Sequence, residues 1–165
     1  MPEQPTPEQM LNDLGLEIAE PLALPPGVEA PLVMVRVSGT KAYVSGHGPQ
    51  NSDGTLATHL LGKVGDTITQ EQAIEAAQLC ALSMLGSLKR ELGELDRIKS
   101  WNRIFGMVNC TPDFTDQTSV INGFSKIILD VFGKEIGLST RSAVGMASLP
   151  FNISVEVEAE LELFK

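Results

Sequence analysis

Residues 140–164 read TRSAVGMASLPFNISVEVEAELELF and carry the most regular pattern in the chain. From Ile153 to Leu163, apolar residues alternate strictly with serine or glutamate. A period of two is typical of a β-strand that is buried on one face only. The sequence therefore predicts a half-buried strand near the carboxyl end of the chain, with a row of glutamates on its other face.

The same stretch predicts a β-hairpin with a candidate binding site on one face. If the chain turns at Ala147–Pro150, Arg141 lies opposite Glu156 and Ala143 lies opposite Ser154. An arginine can bind a carboxylate through two hydrogen bonds, and a nearby carboxylate can position or activate water. Arg141 and Glu156 are therefore candidate catalytic residues for a small anionic substrate. The alternative interpretation is an ordinary surface ion pair, which contributes little to stability.

The composition indicates an ordinary globular protein. With 165 residues, of which 42% are hydrophobic and 20% charged, the chain is long enough for one domain with a substantial core. Its net charge of −9 argues against nucleic acid as an obligate partner, because phosphate binding relies on clusters of lysine and arginine. No apolar run approaches the roughly 20 residues of a membrane span. The acidic, proline-rich start predicts no signal peptide, and Cys80 and Cys110 lack pairing spacing, which favours a cytoplasmic protein.

Capping residues and apolar periodicity predict three helices. A short helix is expected between Thr6 and Gly15, and a longer one over Thr69–Leu92, where Thr69 and Gln72 have the spacing of a capping box. A third amphipathic helix is expected over Phe114–Phe132.

Runs of β-forming residues predict the strands between these helices. They are Leu32–Val37, Lys41–Ser45 and Arg97–Asn109, with shorter candidates at Leu16–Ala19 and Leu60–Val64. The order of elements predicts an α+β fold of two layers, in which two helices cover one face of a mixed β-sheet. Residues 1–30 are expected to form an N-terminal extension with a short helix, and residues 31–165 a single domain.

A glycine-rich loop is a second candidate for a binding role. Ser45-Gly46-His47-Gly48 follows a predicted strand, and glycines there allow another group to approach the backbone closely. His47 is a candidate substrate contact or acid–base group; the alternative is a loop histidine without a role. No cluster of His, Cys or carboxylates has metal-ligand spacing, and no phosphate loop or dinucleotide motif is present. We therefore expect neither a metal nor a cofactor.

These motifs together resemble those of the Rid (YjgF-like) family, which is also labelled the L-PSP endoribonuclease family. Arg141–Pro150 followed by Val155–Ala159 is similar to the closing signature of that family. Ser45-Gly46 after a strand, and Cys110–Phe114 before the last long helix, are similar too. The resemblance covers nearly all of the chain after the N-terminal extension.

The resemblance implies a chorismate-mutase-like fold with the order β-α-β-α-β-β and a homotrimer with clefts between subunits. Members of the family hydrolyse enamines and imines such as 2-aminoacrylate to a 2-keto acid and ammonia, without a metal or cofactor. In that scheme Arg141 holds the substrate carboxylate, Glu156 orients the attacking water, and Ser45 and Gly46 line the cleft. His47, Ala143 and Asn109 are further candidate substrate-binding residues.

Two departures indicate a divergent subgroup. Ala143 stands where the enamine deaminases carry a cysteine, and the segment Pro21–Pro31 lacks the tyrosine of their early loop. One alternative is therefore a non-catalytic trimer that binds a small carboxylate as a sensor or chaperone-like partner. Another is an endoribonuclease, which the acidic composition disfavours.

Overall fold

The computed structural model describes residues 5–165. The first four residues of the predicted extension, on which the expectation of no signal peptide partly rests, lie outside the described residues. In chain order the elements are α1 (Pro7–Asp13), β1 (Val35–Ser38), β2 (Lys41–His47), α2 (Gln70–Leu92), β3 (Ile98–Asn109), α3 (Gln117–Gly137), β4 (Thr140–Met146) and β5 (Val155–Leu163).

The helices begin where side chains can satisfy free backbone N–H groups. Thr6 and Thr69 cap α1 and α2, each in a complete capping box, as the sequence predicted. The end of α2 at Gly93 is confirmed, and that glycine has a φ of 83°. The third helix begins at Gln117, three residues later than predicted, and continues past Gly133 with a local break.

The strands form one open, mixed sheet in the order β1-β2-β5-β3-β4. Strand β4 runs parallel to β3, and every other neighbouring pair is antiparallel. The predicted α+β class is confirmed: α2 and α3 pack against each other and against one face of this sheet. Gly106 allows the close approach of α3, because a Cβ atom there would overlap the side chain of Ile121.

The predicted hairpin is wrong, because β3 lies between β4 and β5. Arg141 pairs with Ile104 of β3, and Glu156 pairs with Met107, so the two charged residues are not cross-strand neighbours. The alternation of buried and exposed residues within β5 is as predicted. The strands that pair with β5 are β2 and β3, not β4 as predicted. The connection between β4 and β5 crosses the end of β3. There Cys110 donates its backbone N–H to the carbonyl of Met146 in β4, and Asn109 donates its backbone N–H to the carbonyl of Ser154, just before β5.

Two shorter strand predictions are also wrong. Leu16–Ala19 is not a strand; Ala19 instead donates its backbone N–H to the carbonyl of Leu82 and docks the extension on α2. Within Leu60–Val64, only isolated bridges form.

The sheet face opposite the helices is exposed and carries Lys41, Tyr43, Arg103, Glu158 and Glu160. Among the helices of residues 5–165, none combines the length and apolar character that a bilayer crossing requires.

Candidate functional site

The two predicted catalytic side chains lie on opposite faces of the sheet. Paired residues in a β-ladder point to the same face. Ile104 is buried beneath the helices, so its partner Arg141 lies on the helix-covered face. Met107 is on the other face together with its partner Glu156. A single subunit therefore does not bring the guanidinium and the carboxylate together.

Arg141 is held in place by neutral acceptors on α3. Its Nη1 donates to Asn122 Oδ1 at 2.9 Å and to Ser125 Oγ at 3.0 Å, and its Nη2 donates to the carbonyl of Thr118 at 3.5 Å. Among residues 5–165, no carboxylate forms an ion pair with Arg141. Partial burial lowers the pKa of this guanidinium. The side chain is therefore an oriented cation on an edge strand, without an anionic partner.

Ala143 shares the helix-covered face with Arg141. It pairs with Gly106 of β3 and packs against the core. The methyl group offers no acid, base or nucleophile near the guanidinium. Ala143 can shape the space beside Arg141 but supplies no reactive group to it.

Glu156 is half-buried and lies directly over Gly46. A Cβ atom at position 46 would overlap the carboxylate, so only glycine leaves the side chain in this position. Burial raises the pKa of Glu156, and the nearby charge of Glu158 raises it further. Within the described residues, no cation forms an ion pair with Glu156. The structure thus brings Gly46 and Glu156 together, as expected for two residues that line one site.

Ser45 and Gly46 belong to an irregularity of β2. The pairing with β5 shifts between Val44 and His47, so the backbone bulges at these two residues. Ser45 donates its hydroxyl to the carbonyl of Val33 at 2.7 Å. The bulge is therefore tied to the segment that precedes β1.

His47 is buried and presents no free nitrogen to the space above Gly46. Its side chain is 1% exposed, with Nδ1 2.7 Å from the carbonyl oxygen of Ser45 and Nε2 2.9 Å from Ser87 Oγ. Burial lowers the pKa of His47 to about 4, and the charge of Arg90 also lowers it. A neutral imidazole with both nitrogens occupied supports the loop that carries Gly46.

Asn109 anchors the connection between β4 and β5. Its Nδ2 donates to the carbonyl of Ile153 at 3.2 Å and to that of Gly62 at 3.3 Å, and its Oδ1 accepts from Lys63 Nζ at 2.8 Å. Both the oxygen and the nitrogen of the buried Asn109 amide are used in these hydrogen bonds. Asn109 therefore influences the site by fixing the loop between β4 and β5. That loop includes Phe151, whose backbone has a φ of 55°.

A cavity of about 910 Å³ opens beside Glu156, and sequence reasoning missed it. Gly46 and Glu156 line part of it, and the proline-rich segment before β1 lines another part. The apolar side chains on its walls include Leu22, Leu24, Val28, Leu32, Val33 and Phe151. The only sequence signal for this wall was the presence of apolar residues in a loop with four prolines, and a loop has no periodicity that predicts which side chains share a face.

No group of three or more His, Cys, Asp or Glu side chains within residues 5–165 is arranged to hold a metal ion.

Comparison with known proteins identifies relatives over almost the whole chain. Protein TCP17 of Trypanosoma cruzi is 40% identical over 153 residues, which cover 93% of this chain and 91% of that protein. The crystal structure of Atu1372 from Agrobacterium tumefaciens, a protein of unknown function, is 40% identical with a TM-score of 0.83 and covers 96% of this chain and 92% of that one. No protein-family model matches the chain.

Other solved structures share the fold. A candidate endoribonuclease from Shewanella oneidensis MR-1 is 29% identical with a TM-score of 0.84, and covers 96% of this chain and all of that one. TdcF of E. coli, solved with bound serine, is 19% identical with a TM-score of 0.57, and covers 90% of this chain and 99% of that one. The fold and these neighbours define an α+β protein with an open mixed sheet covered by helices on one face. The chain belongs to the same family as TCP17 and Atu1372, and it has the fold of the Rid (YjgF-like) proteins that its sequence resembles.

Proposed function

We propose that this protein hydrolyses reactive enamines and imines derived from amino acids, such as 2-aminoacrylate, to the 2-keto acid and ammonia without a cofactor. The reaction takes place in clefts between the subunits of a homotrimer. Each cleft combines Arg141 of one subunit with Glu156 of the next. The free, buried thiols of Cys80 and Cys110 favour a reducing compartment such as the cytoplasm.

The observation that supports this proposal most strongly is a pair of unpartnered opposite charges. Arg141 is oriented by α3 but has no carboxylate within ion-pair distance, and Glu156 lies over Gly46 without a cation, among the described residues. Both side chains are partly buried, where an uncompensated charge is costly. Because they lie on opposite faces of one sheet, only a second subunit can bring them together. A cyclic arrangement of identical subunits would form the same contact three times.

Arg141 would bind the carboxylate of the substrate. Its planar guanidinium can donate two parallel hydrogen bonds, which fix the position and the orientation of an acid group. The hydrogen bonds to α3 restrict the side chain before substrate arrives, so less conformational entropy is lost on binding. TdcF, which shares the fold, was solved with serine, a molecule that carries a carboxylate of this kind.

Glu156 would activate water and then assist departure of ammonia. An enamine first takes a proton from solvent at carbon, which gives the protonated imine. The ionised carboxyl of Glu156 accepts a proton from water as the oxygen bonds to the imine carbon, giving a carbinolamine. The carboxyl returns that proton to nitrogen, and the carbon–nitrogen bond breaks so that ammonia leaves with the electron pair. The hydroxyl then loses its proton to the carboxylate of Glu156 and becomes the carbonyl of the 2-keto acid. The raised pKa of Glu156 suits both proton transfers near neutral pH.

A coupled assay tests the proposal. An amino-acid-degrading enzyme generates 2-aminoacrylate, and formation of the 2-keto acid is followed with and without this protein. We expect acceleration above the spontaneous rate and a trimeric mass by light scattering. Binding of small carboxylates without acceleration would instead favour the non-catalytic trimer. Ribonuclease activity that persists without Arg141 and Glu156 would not belong to this site.

A further inference from the structure

We propose that the substrate of this site carries a bulky apolar group, which occupies the 910 Å³ cavity beside Glu156. The expected class is the imines of large apolar amino acids, such as leucine or phenylalanine, rather than three-carbon imines. This inference rests on the proposed function, since it places the reacting carbon at Glu156.

The size and lining of the cavity carry the inference. Small-molecule sites usually span roughly 300–1,000 Å³, so this cavity lies near the upper end of the range. A three-carbon imine bound at Glu156 would leave most of it unfilled. Its walls present apolar side chains from two separate parts of the chain, the proline-rich segment and the loop after β4. An apolar ligand group that packs against these walls is stabilised, because its surface is removed from water.

Phe151 indicates that one wall is arranged for contact with a ligand. The ring is 43% exposed, although a phenylalanine would normally be buried. Its backbone has a φ of 55°, a conformation that costs a bulky residue free energy. Asn109 holds the adjoining residues Asn152 and Ile153 by hydrogen bonds. The protein therefore maintains a strained turn that presents an aromatic ring at the cavity.

A second part of the cavity wall is also exposed in the subunit. Leu32 is 58% exposed and Val33 is 48% exposed, and both line the cavity. The bond from the Ser45 hydroxyl to the Val33 carbonyl ties this wall to the bulge that carries Gly46. The apolar wall is thus fixed beside the bulge over which the carboxylate of Glu156 lies. A ligand whose reacting carbon lies at Glu156 would extend its side chain between Leu32 and Phe151.

The test compares ligands that share the acid group and differ in the apolar group. Calorimetry measures binding of pyruvate and of the 2-keto acid derived from leucine to the assembled protein. Burial strengthens binding by about fourfold for each methylene, so we expect the larger acid to bind more than tenfold more tightly. Equal affinity, or no binding of either acid, would overturn the inference. A neighbouring subunit that fills the cavity would give one of these results.

Matched variants locate the effect. Leu32→Asn should reduce the preference for the larger acid by severalfold, whereas Leu138→Asn should not, because Leu138 is 63% exposed outside the cavity. Phe151→Ala and Phe164→Ala form a second pair, since Phe164 is 53% exposed and does not line the cavity. An equal loss in the control variants would contradict the assignment of these walls.

Turnover separates this inference from the proposed function. Imines are generated by an amino-acid oxidase from alanine, leucine and phenylalanine, and kcat/KM is compared. Faster hydrolysis of the larger imines supports both proposals. Hydrolysis of all three at equal efficiency retains the function and overturns the inference. Absence of any hydrolysis, together with selective binding of the larger 2-keto acid, overturns the function and retains the assignment of the cavity.

Discussion

Arg141 and Glu156 point to opposite faces of one sheet, with β3 between the strands that carry them. Each is partly buried, and neither has a partner of opposite charge within the described residues. In the proposed trimer the two side chains meet across a subunit boundary, where Arg141 binds an acid group and Glu156 activates water. The role of each side chain can be measured separately.

Replacing Arg141 should remove activity without removing the oligomer. Each charged hydrogen bond contributes about 1.5–3 kcal/mol, so Arg141→Ala should lower kcat/KM for imine hydrolysis by roughly 100-fold or more. Arg141→Lys should recover little of the lost activity, because a lysine ammonium lacks the coplanar N–H donors that bind both oxygens of a carboxylate. Arg97→Ala, in the turn just before β3, is the matched control. Wild-type turnover in Arg141→Ala, with a trimeric mass by light scattering, would refute the assignment.

The pH dependence of kcat/KM should report the ionisation of Glu156. Activation of water needs the carboxylate, so activity should rise with pH through the pKa of this group. Burial and the charge of Glu158 raise that pKa, so the acid limb should have its midpoint above the ordinary value of 4.5. Glu158→Gln removes the negative charge next to Glu156, so it should lower the pKa of Glu156 and move the acid limb of the kcat/KM profile to lower pH. An unchanged acid limb in Glu156→Gln would show that another group titrates.

Gly46 should be needed for activity more than for stability. The overlap created by Gly46→Ala is with the end of the Glu156 side chain, which can rotate away at small cost. We expect a small change in the free energy of unfolding and a large loss of kcat. Gly48→Ala is the control, since its Cβ atom would meet Ile153 rather than Glu156. Urea denaturation and steady-state kinetics of both variants measure the two effects, and equal kinetics would contradict the role of Gly46.

His47 should make stability depend on pH. Its pKa falls from 6.5 to about 4 on folding, so the unfolded chain binds a proton between these values and the folded chain does not. The stability present above pH 6.5 is therefore lost as pH falls toward 4, by about 3 kcal/mol. His47→Gln should flatten this dependence in urea denaturation at a series of pH values. A wild-type slope in His47→Gln would contradict the prediction.

The helices and the two ends of α2 could be predicted because their signals are local. Thr69 and Gln72 form the capping box, and Gly93 ends α2 with a positive φ, as their spacing indicated. The alternation of β5 was also readable, because side-chain direction depends only on position along the strand. Local patterns do not say which strand lies next to which. The insertion of β3 between β4 and β5 therefore could not be read from the terminal stretch.

The candidate site was predictable in its residue types and not in its geometry. Gly46 and Glu156 were both candidates from the sequence, and the structure places them in contact. The hydrogen bonds that bury His47 and Asn109 involve Ser87, Lys63 and Ile153, which are distant in sequence. The cavity depends on the path of a proline-rich loop and on the conformation of Phe151. Neither follows from periodicity.

Activity of mixed trimers tests most directly whether each site is shared between subunits. Arg141→Ala and Glu156→Gln subunits are unfolded together in equal amounts, refolded and assayed. If every site takes its arginine and its glutamate from different subunits, each mixed trimer has one intact site, and random assembly restores about one quarter of wild-type activity. Subunits that carry both substitutions, mixed with either single variant, should restore none. Failure of the two single variants to complement, in trimers shown to be mixed by mass spectrometry, would contradict a shared site.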